Sequence, residues 1–475
     1  MKKTIYCLCF VLQFSVLAQD KIPTRFAKTI TQEDLKSHLS VLASDEFEGR
    51  ETGERGQKMA AEYIAGHFEK LGLAAPVEGS YYQHFDLAES RLGNVYLRKG
   101  SDTLKGFKDF LYYSSAETMG EEYVRFLMTT KESENKNVAG SYVVFTSKEF
   151  GGYHDFVDRA EEAGALGFVL ILEDDQEYAS LLSRRGPYLK RSSIRVRDNY
   201  ASKLIIGNTE LVEWMFGKKY EDVRNGESAT IVFDADYLDK PIVTENVLGF
   251  LKGSEIPEEV LIITAHYDHI GIRNGEVNNG ADDDGSGTVT VLEVAEAFAE
   301  AKKKKKGPRR SILFMTLTGE EKGLLGSRHY TDTDPIFPLE RTVANLNIDM
   351  VGRVDPAHEE NRDYVYLIGS DKLSTELHNL SEQVNRDYVN IQLDYTYNDV
   401  NDPNRFYYRS DHYNFAKHNV PIIFYFNGTH EDYHRPSDTI DKIAFDVLEK
   451  RAKLIFHTAW EVANRKERIK VDVGK

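Results

Sequence analysis

The sequence predicts an α/β protein whose main domain is a mostly parallel sheet sandwiched by helices. Three observations carry that expectation. From residue 245 onward, apolar runs of strand length alternate with patterns of helical period. The runs, such as Val260 to Ala265, are continuously apolar, as in strands buried on both faces. Acidic and histidine-bearing motifs recur where those runs end, at the sheet edge on which open α/β proteins build their sites. A length of 475 residues suggests two or three domains at ~150 residues each.

In chain order, residues 1–18 read as a secretory leader. Lys2 and Lys3 precede a largely apolar run from Ile5 to Leu17, and Val16-Leu17-Ala18 offers a cleavage site. The run is shorter than the ~20 residues a membrane span needs. Cleavage removes Cys7 and Cys9, the only cysteines, and leaves a chain without disulfides. An exported protein follows, in the periplasm or outside the cell, with no membrane span. Thr31-Gln32-Glu33-Asp34 has the capping hydroxyl and early acids of a helix start, with the helix running to about Leu42. Met59, Ala60, Tyr63, Ile64, Phe68 and Leu71 repeat at helical spacing, and Gly72 is placed to end that helix. A second region, 92–241, contains a strand–helix–strand unit: Ser141 to Phe145, a helix through Ala160 to Ala163, and Ala165 to Leu172. Beyond it come strands at Val260 to Ala265, Ile312 to Thr318, Val343 to Met350, Tyr364 to Ile368 and Pro421 to Phe426. Helices are expected at 285–303, from about 323, at 373–388 and at 441–465. Lys302 to Lys306 reads as a solvated cationic helix end. A formal charge of −17 argues against nucleic acid and against an anionic membrane surface as partners.

Five motifs carry chemistry: Ala265-His266-Tyr267-Asp268-His269, Asn279 to Gly287 with Asp282-Asp283-Asp284, Thr318-Gly319-Glu320-Glu321, Asn347-Ile348-Asp349-Met350, and His434-Arg435-Pro436-Ser437-Asp438. Each alone has a bland reading. A histidine at a strand end is commonly structural, three aspartates among glycines can cap a turn, and adjacent glutamates can be solvated. Together on one sheet edge they form a nitrogen and oxygen donor set suited to zinc. Two adjacent carboxylates after a buried strand repel each other, and a metal relieves that repulsion.

The order and wording of these motifs resemble the co-catalytic zinc exopeptidases that include aminopeptidase Y and bacterial leucyl aminopeptidases. The likeness is close over 240–465, and Leu42 to Arg50 resembles that family's N-terminal helical segment. Residues 92–241 are more loosely similar to a protease-associated domain inserted in the peptidase fold. The resemblance implies a mixed, mostly parallel sheet of the zinc exopeptidase fold. It divides the chain into a leader (1–18), an N-terminal helical part of the peptidase domain (19–91), the insertion (92–241) and the zinc domain (242–475). It implies two zinc ions bridged by Asp283, with His266 and Asp349 on one and Glu321 and His434 on the other. Glu320 is then the general base, and Asp268 the carboxylate that holds His266. Charge supports these roles: three ligand carboxylates against two dications leave a positive centre that acidifies a bound water.

The implied activity is removal of N-terminal residues from peptides with a free amino terminus. A carboxypeptidase or dipeptidase of the glutamate carboxypeptidase type is the alternative, disfavoured because Pro421 to His434 contains no Arg or Lys before His434. A catalytically inactive binding protein would lack a ligand or the base, and a glutaminyl cyclase would lack the insertion. His269, His412 and His430 are read as structural or supporting. The aromatic run Phe406 to Tyr413 either lines a substrate pocket or packs the sheet edge. Zinc, cobalt and manganese all suit a mixed donor set.

Overall fold

The computed structural model describes residues 21–114, 119–130, 137–148, 153–196 and 203–473. The leader expected over 1–18 lies outside them. Among the described residues, no helix is long and apolar enough to cross a membrane. The chain divides into two compact units. One is a single segment, 85–244, and the other is formed by the residues on either side of it. The sequence expectation of 92–241 for the inserted segment is a few residues narrower at each end.

The larger unit is built on a sheet whose strands are β1 (Ile256–His266), β2 (Arg310–Leu317), β3 (Thr342–Ile348), β4 (Tyr364–Ile368), β5 (Gln392–Asp394) and β6 (Ile422–Phe426). Their spatial order is β5-β4-β6-β3-β1-β2, with residues 247–251 beyond β2. The pairs β1·β2, β1·β3, β3·β6 and β4·β5 are parallel, while β4·β6 and β2 with 247–251 are antiparallel. The sheet is thus mixed and mostly parallel. His266 at the end of β1 stands opposite Leu317 at the end of β2, so the loops leaving both strands begin at one level.

Every residue of β2, β3, β4 and β6 is buried, which accounts for the continuous apolar runs. Leu261 and Ile263 pack on one face with Phe314, Leu346 and Ile423, beneath α1 (Gln32–Leu42), α2 (Arg55–Leu71), α3 (Gly287–Lys303) and α5 (Phe445–Asn464). Val260 and Ile262 pack on the other face with Leu313, Met315, Tyr330 and Phe415. The local signals act as expected. The Thr31 hydroxyl accepts from the Asp34 amide at 3.1 Å at the start of α1, and Gly72, at φ +77°, ends α2. Thr375–Val384 forms the expected helix α4, but the helix expected from 323 is a single turn, Leu325–Arg328, leading into an irregular turn. It is preceded by the turn that bears Glu320 and Glu321, whose side chains are committed to the site.

The smaller unit has its own α/β core. Its sheet runs in the order 228–235, Met119–Met128, Ser141–Ser147, Gly167–Leu172, Leu204–Asn208, Leu111–Tyr113, with helices His154–Glu162, Asp175–Leu189 and Thr209–Phe216. The strand–helix–strand unit read from sequence forms its centre, with Ser141–Ser147 parallel to Gly167–Leu172.

Candidate metal centre

The five motifs converge. His266 ends β1, Asp282 to Asp284 lead into α3, Glu320 and Glu321 follow β2, Asp349 follows β3, and His434 stands in the loop after β6 with a φ of +57°. Around Asp283 the donors fall into two groups. His266 Nε2 lies 3.3 Å from Asp283 Oδ1 and 3.6 Å from Asp349 Oδ1. His434 Nε2 lies 3.0 Å from Asp283 Oδ2 and 3.2 Å from Glu321 Oε2. One carboxylate therefore presents one oxygen to each group. Glu320 Oε2 stands 3.9 Å from His266 Nε2, beside the first group.

The backbone explains why the middle aspartate is the one left free. Asp282 accepts from the Gly352 amide at 2.7 Å, from the Ser286 hydroxyl at 2.9 Å, and stands 3.1 Å from His430 Nε2. Asp284 accepts from the amides of Gly287 at 2.8 Å, Met350 at 3.0 Å and His266 at 3.2 Å. Both outer carboxylates are consumed in pinning loops together. The amides of Asp282 and Asp283 in turn donate to the buried Asp438 carboxylate. Arg50, 1% exposed, adds a cross-link from the N-terminal segment. Its guanidinium donates to the carbonyls of Tyr267, Leu42, Asn279 and Gly280. Sequence reading quoted Arg50 only within a motif, and nothing in its local pattern marks it as the clasp of two ligand loops.

Asp268 departs from its expected role. His266 Nδ1 is 3.0 Å from the Asp268 carbonyl oxygen but 3.7 Å from its carboxylate. The carboxylate is otherwise engaged, accepting the Thr52 hydroxyl at 2.7 Å and the Glu320 amide at 3.2 Å. The main chain of Asp268 orients His266, and its side chain positions the turn bearing Glu320.

The electrostatics bear on what the site can hold. Burial works against a charged His266, yet Glu320, Asp349, Asp268 and Asp283 outweigh it and hold the ring well above its usual pKa. The same contest holds His434 up at about 10, with Asp283 and Glu321 prevailing over burial. Burial first, then Asp349, Glu321 and Asp411, pushes Glu320 well above the ordinary carboxylate range. Four carboxylates gathered around the imidazoles of His266, His269 and His434 suit additional positive charge. His269 Nδ1 and Nε2, Asp283 Oδ2 and Glu321 Oε1 have no hydrogen-bond partner among the described residues. Tetrahedral zinc with bonds of ~2.0 Å has donor–donor edges of about 3.3 Å. The observed spacings of 3.0–3.6 Å match that edge, so the residues fit a pair of zinc ions.

A cleft opens on the site, lined by Asp283, Glu320, Asp349 and His434 on one side. Met350, Phe406, Phe424, Phe426 and Tyr433 line the other, with Arg409. The aromatic run thus divides: Phe406 and Arg409 face the cleft, while the His412 ring stacks on Phe424 at 4.5 Å and sits 2.8 Å from the Tyr407 carbonyl. Burial pushes His412 down to about 3, as for a structural imidazole. His430 supports Asp282, and His269 faces Glu321.

Residues 246–459 match the model of peptidase family M28. Aminopeptidase YwaD of Bacillus subtilis is 27% identical over 238 residues, 48% of this chain and 46% of that protein. A probable zinc metalloprotease of Pyrenophora teres f. teres is 29% identical over 268 residues, 47% of this chain and 52% of that protein. The chain spans about half the length of these two relatives. Among solved structures, the aminopeptidase from Aneurinibacillus sp. strain AM-1 shares the fold, with a TM-score of 0.50 and 17% identity over 95% of this chain and 98% of that one. The matched residues, 246–459, carry every donor of the site just described.

Proposed function

We propose that the protein is an exported metallo-aminopeptidase that uses two zinc ions and Glu320 to remove N-terminal residues from peptides. The observation that carries the reading is the double donor set: one buried carboxylate, Asp283, between His266/Asp349 and Glu321/His434, with a further carboxylate, Glu320, beside the first group. The ions, when bound, acidify a coordinated water and polarise the scissile carbonyl. Asp283, with one oxygen toward each donor group, would help hold both ions. Glu320, held by its amide on Asp268, accepts the proton of the attacking water and passes it to the leaving amine. The apolar wall of Met350, Phe406, Phe424 and Phe426 favours substrates whose first side chain is apolar. In this reading, residues 85–244 are the protease-associated insertion.

A carboxypeptidase or dipeptidase reading draws support from Arg409. It is the one Arg or Lys among the described residues lining the cleft, and a guanidinium matches a carboxylate. The chain therefore brings a cation to the cleft from outside Pro421 to His434.

The test is an assay of the purified protein on chromogenic amides with free and with blocked amines, before and after chelation and zinc return. Cleavage confined to free amines, lost on chelation and restored by zinc, supports the aminopeptidase. Zinc binding with cleavage only of free-carboxylate peptides favours the second reading. A protein that binds no zinc overturns both.

A further inference from the structure

His269 is the residue near the site that the zinc reading leaves without a task. Its side chain is fully buried, and neither ring nitrogen has a hydrogen-bond partner among the described residues. Such a group is costly to bury unless something in the functional state satisfies it. The ring is also held in place. The His269 amide donates to the Arg50 carbonyl at 3.1 Å, and a Cβ on Gly280 would come within 2.6 Å of the imidazole carbons. The His434 ring lies edge-on at 5.9 Å.

In that fixed position Nδ1 lies 2.9 Å from Glu321 Oε1 and 3.8 Å from Asp283 Oδ2. The two oxygens of Glu321 therefore face different partners: Oε2 meets His434 Nε2 within the second donor group, and Oε1 meets His269. Nδ1 and Oε1 are within reach of each other, yet neither makes a well-aligned hydrogen bond among the described residues. We propose that His269 is a positioning residue for the second metal, donating Nδ1–H to Glu321 Oε1 so that Oε2 alone is presented to the ion. A carboxylate free to turn would offer either oxygen, or both, and the ion would sit differently with respect to Asp283. Groups that orient a metal ligand in this way contribute typically 10- to 100-fold in affinity. The proposal rests on the zinc reading above, and it concerns one ion of the pair only.

The experiment is zinc titration of the chelated full-length protein against a chromophoric competitor, with bound zinc counted directly. Wild type and three variants are compared. H269F keeps an aromatic ring of similar size without a donor. H269N carries its amide nitrogen near the place of Nδ1, and H269Q carries its amide near Nε2. The expected result is two sites in wild type. In H269F one site is weakened 10- to 100-fold and the other unchanged. H269N recovers most of the loss and H269Q does not. The unchanged site reports that the fold is intact, independently of activity.

Wild-type affinity at both sites in H269F would overturn the proposal and leave His269 a packing residue. Loss in H269F that H269N fails to recover would overturn it in favour of direct coordination by His269. If H269F does not fold, equal behaviour of H269N and H269Q overturns it. Failure of wild type to bind zinc at all would instead remove the zinc reading, an outcome distinct from all of these.

Discussion

Replacing Glu293 by glutamine should stabilise the protein, and increasingly so as pH rises. Glu293 sits on α3 facing α1 and α2, with its side chain 1% exposed. Its one ion-pair partner among the described residues is His38 Nε2 at 3.6 Å, and no Lys or Arg pairs with it there. Burial, then Glu296 and Asp34, pushes its pKa up to about 9. The neighbouring histidines cannot neutralise a carboxylate there. Burial lowers His38, and burial with His38 and Lys70 pushes His67 down to about 4. The unfolded chain loses the Glu293 proton above the ordinary glutamate value of about 4.3, whereas the folded protein keeps it to about 9. Across that window the native state binds the extra proton, so stability falls with rising pH by at most about 1.4 kcal/mol per unit. By pH 8 the cost reaches up to about 5 kcal/mol. E293Q keeps the shape and has no proton to lose. Urea or thermal unfolding of the chelated protein between pH 4.5 and 9 should show the two proteins equal at the acid end. At pH 8, E293Q should lead by about 2–5 kcal/mol, or several degrees in Tm. A difference that does not grow with pH, or a destabilised E293Q at pH 8, would refute the reasoning.

E320Q should lower kcat by about 10²- to 10⁴-fold while both zinc ions remain bound, measured by steady-state kinetics with metal analysis of the same sample. D283N should weaken both ions, because the two oxygens of Asp283 face the two donor groups; zinc titration checks this. R50M leaves four carbonyls without their donor, and should cost about 3–5 kcal/mol in unfolding free energy and weaken zinc binding in the same titration. The loss of zinc binding is the sharper readout, since a purely structural arginine would leave the affinity of the folded protein untouched.

The sheet was legible because buried parallel strands are written as contiguous apolar runs. β4 is bounded by the residues that the pattern marks, Tyr364 to Ile368. The donors were legible because a metal needs particular atoms, and few residue types supply them. What the sequence did not disclose is the role of residues whose task depends on a distant partner. Arg50 lies more than 200 residues from the carbonyls of Tyr267, Asn279 and Gly280. His269 is indistinguishable in sequence from any histidine at a strand end until Glu321 is seen beside it. Asp268 carries the residue type expected of a histidine's partner, but Thr52 and the Glu320 amide reach its carboxylate first. In each case the deciding fact is who else competes for the same polar atom, which no local pattern encodes.

The reach of Arg50 also bears on how the protein is made. The family match begins at residue 246, yet the loops carrying His266 and Asp283 are closed by a side chain from the other flank of the 85–244 segment. Helices α1 and α2 leave the ribosome early, with Leu39, Ile64 and Phe68 bared, because the surface that covers them comes from residues after 245. At ~5–20 residues per second, the interval between Gly72 and the closing α5 is roughly 20–80 s. During it residues 85–244 can settle around their own core, while the N-terminal helices stay exposed to chaperones and proteases. A fragment cut to the matched 246–459 would lack the clasp altogether, and would emerge with part of its core missing and its ligand loops untied.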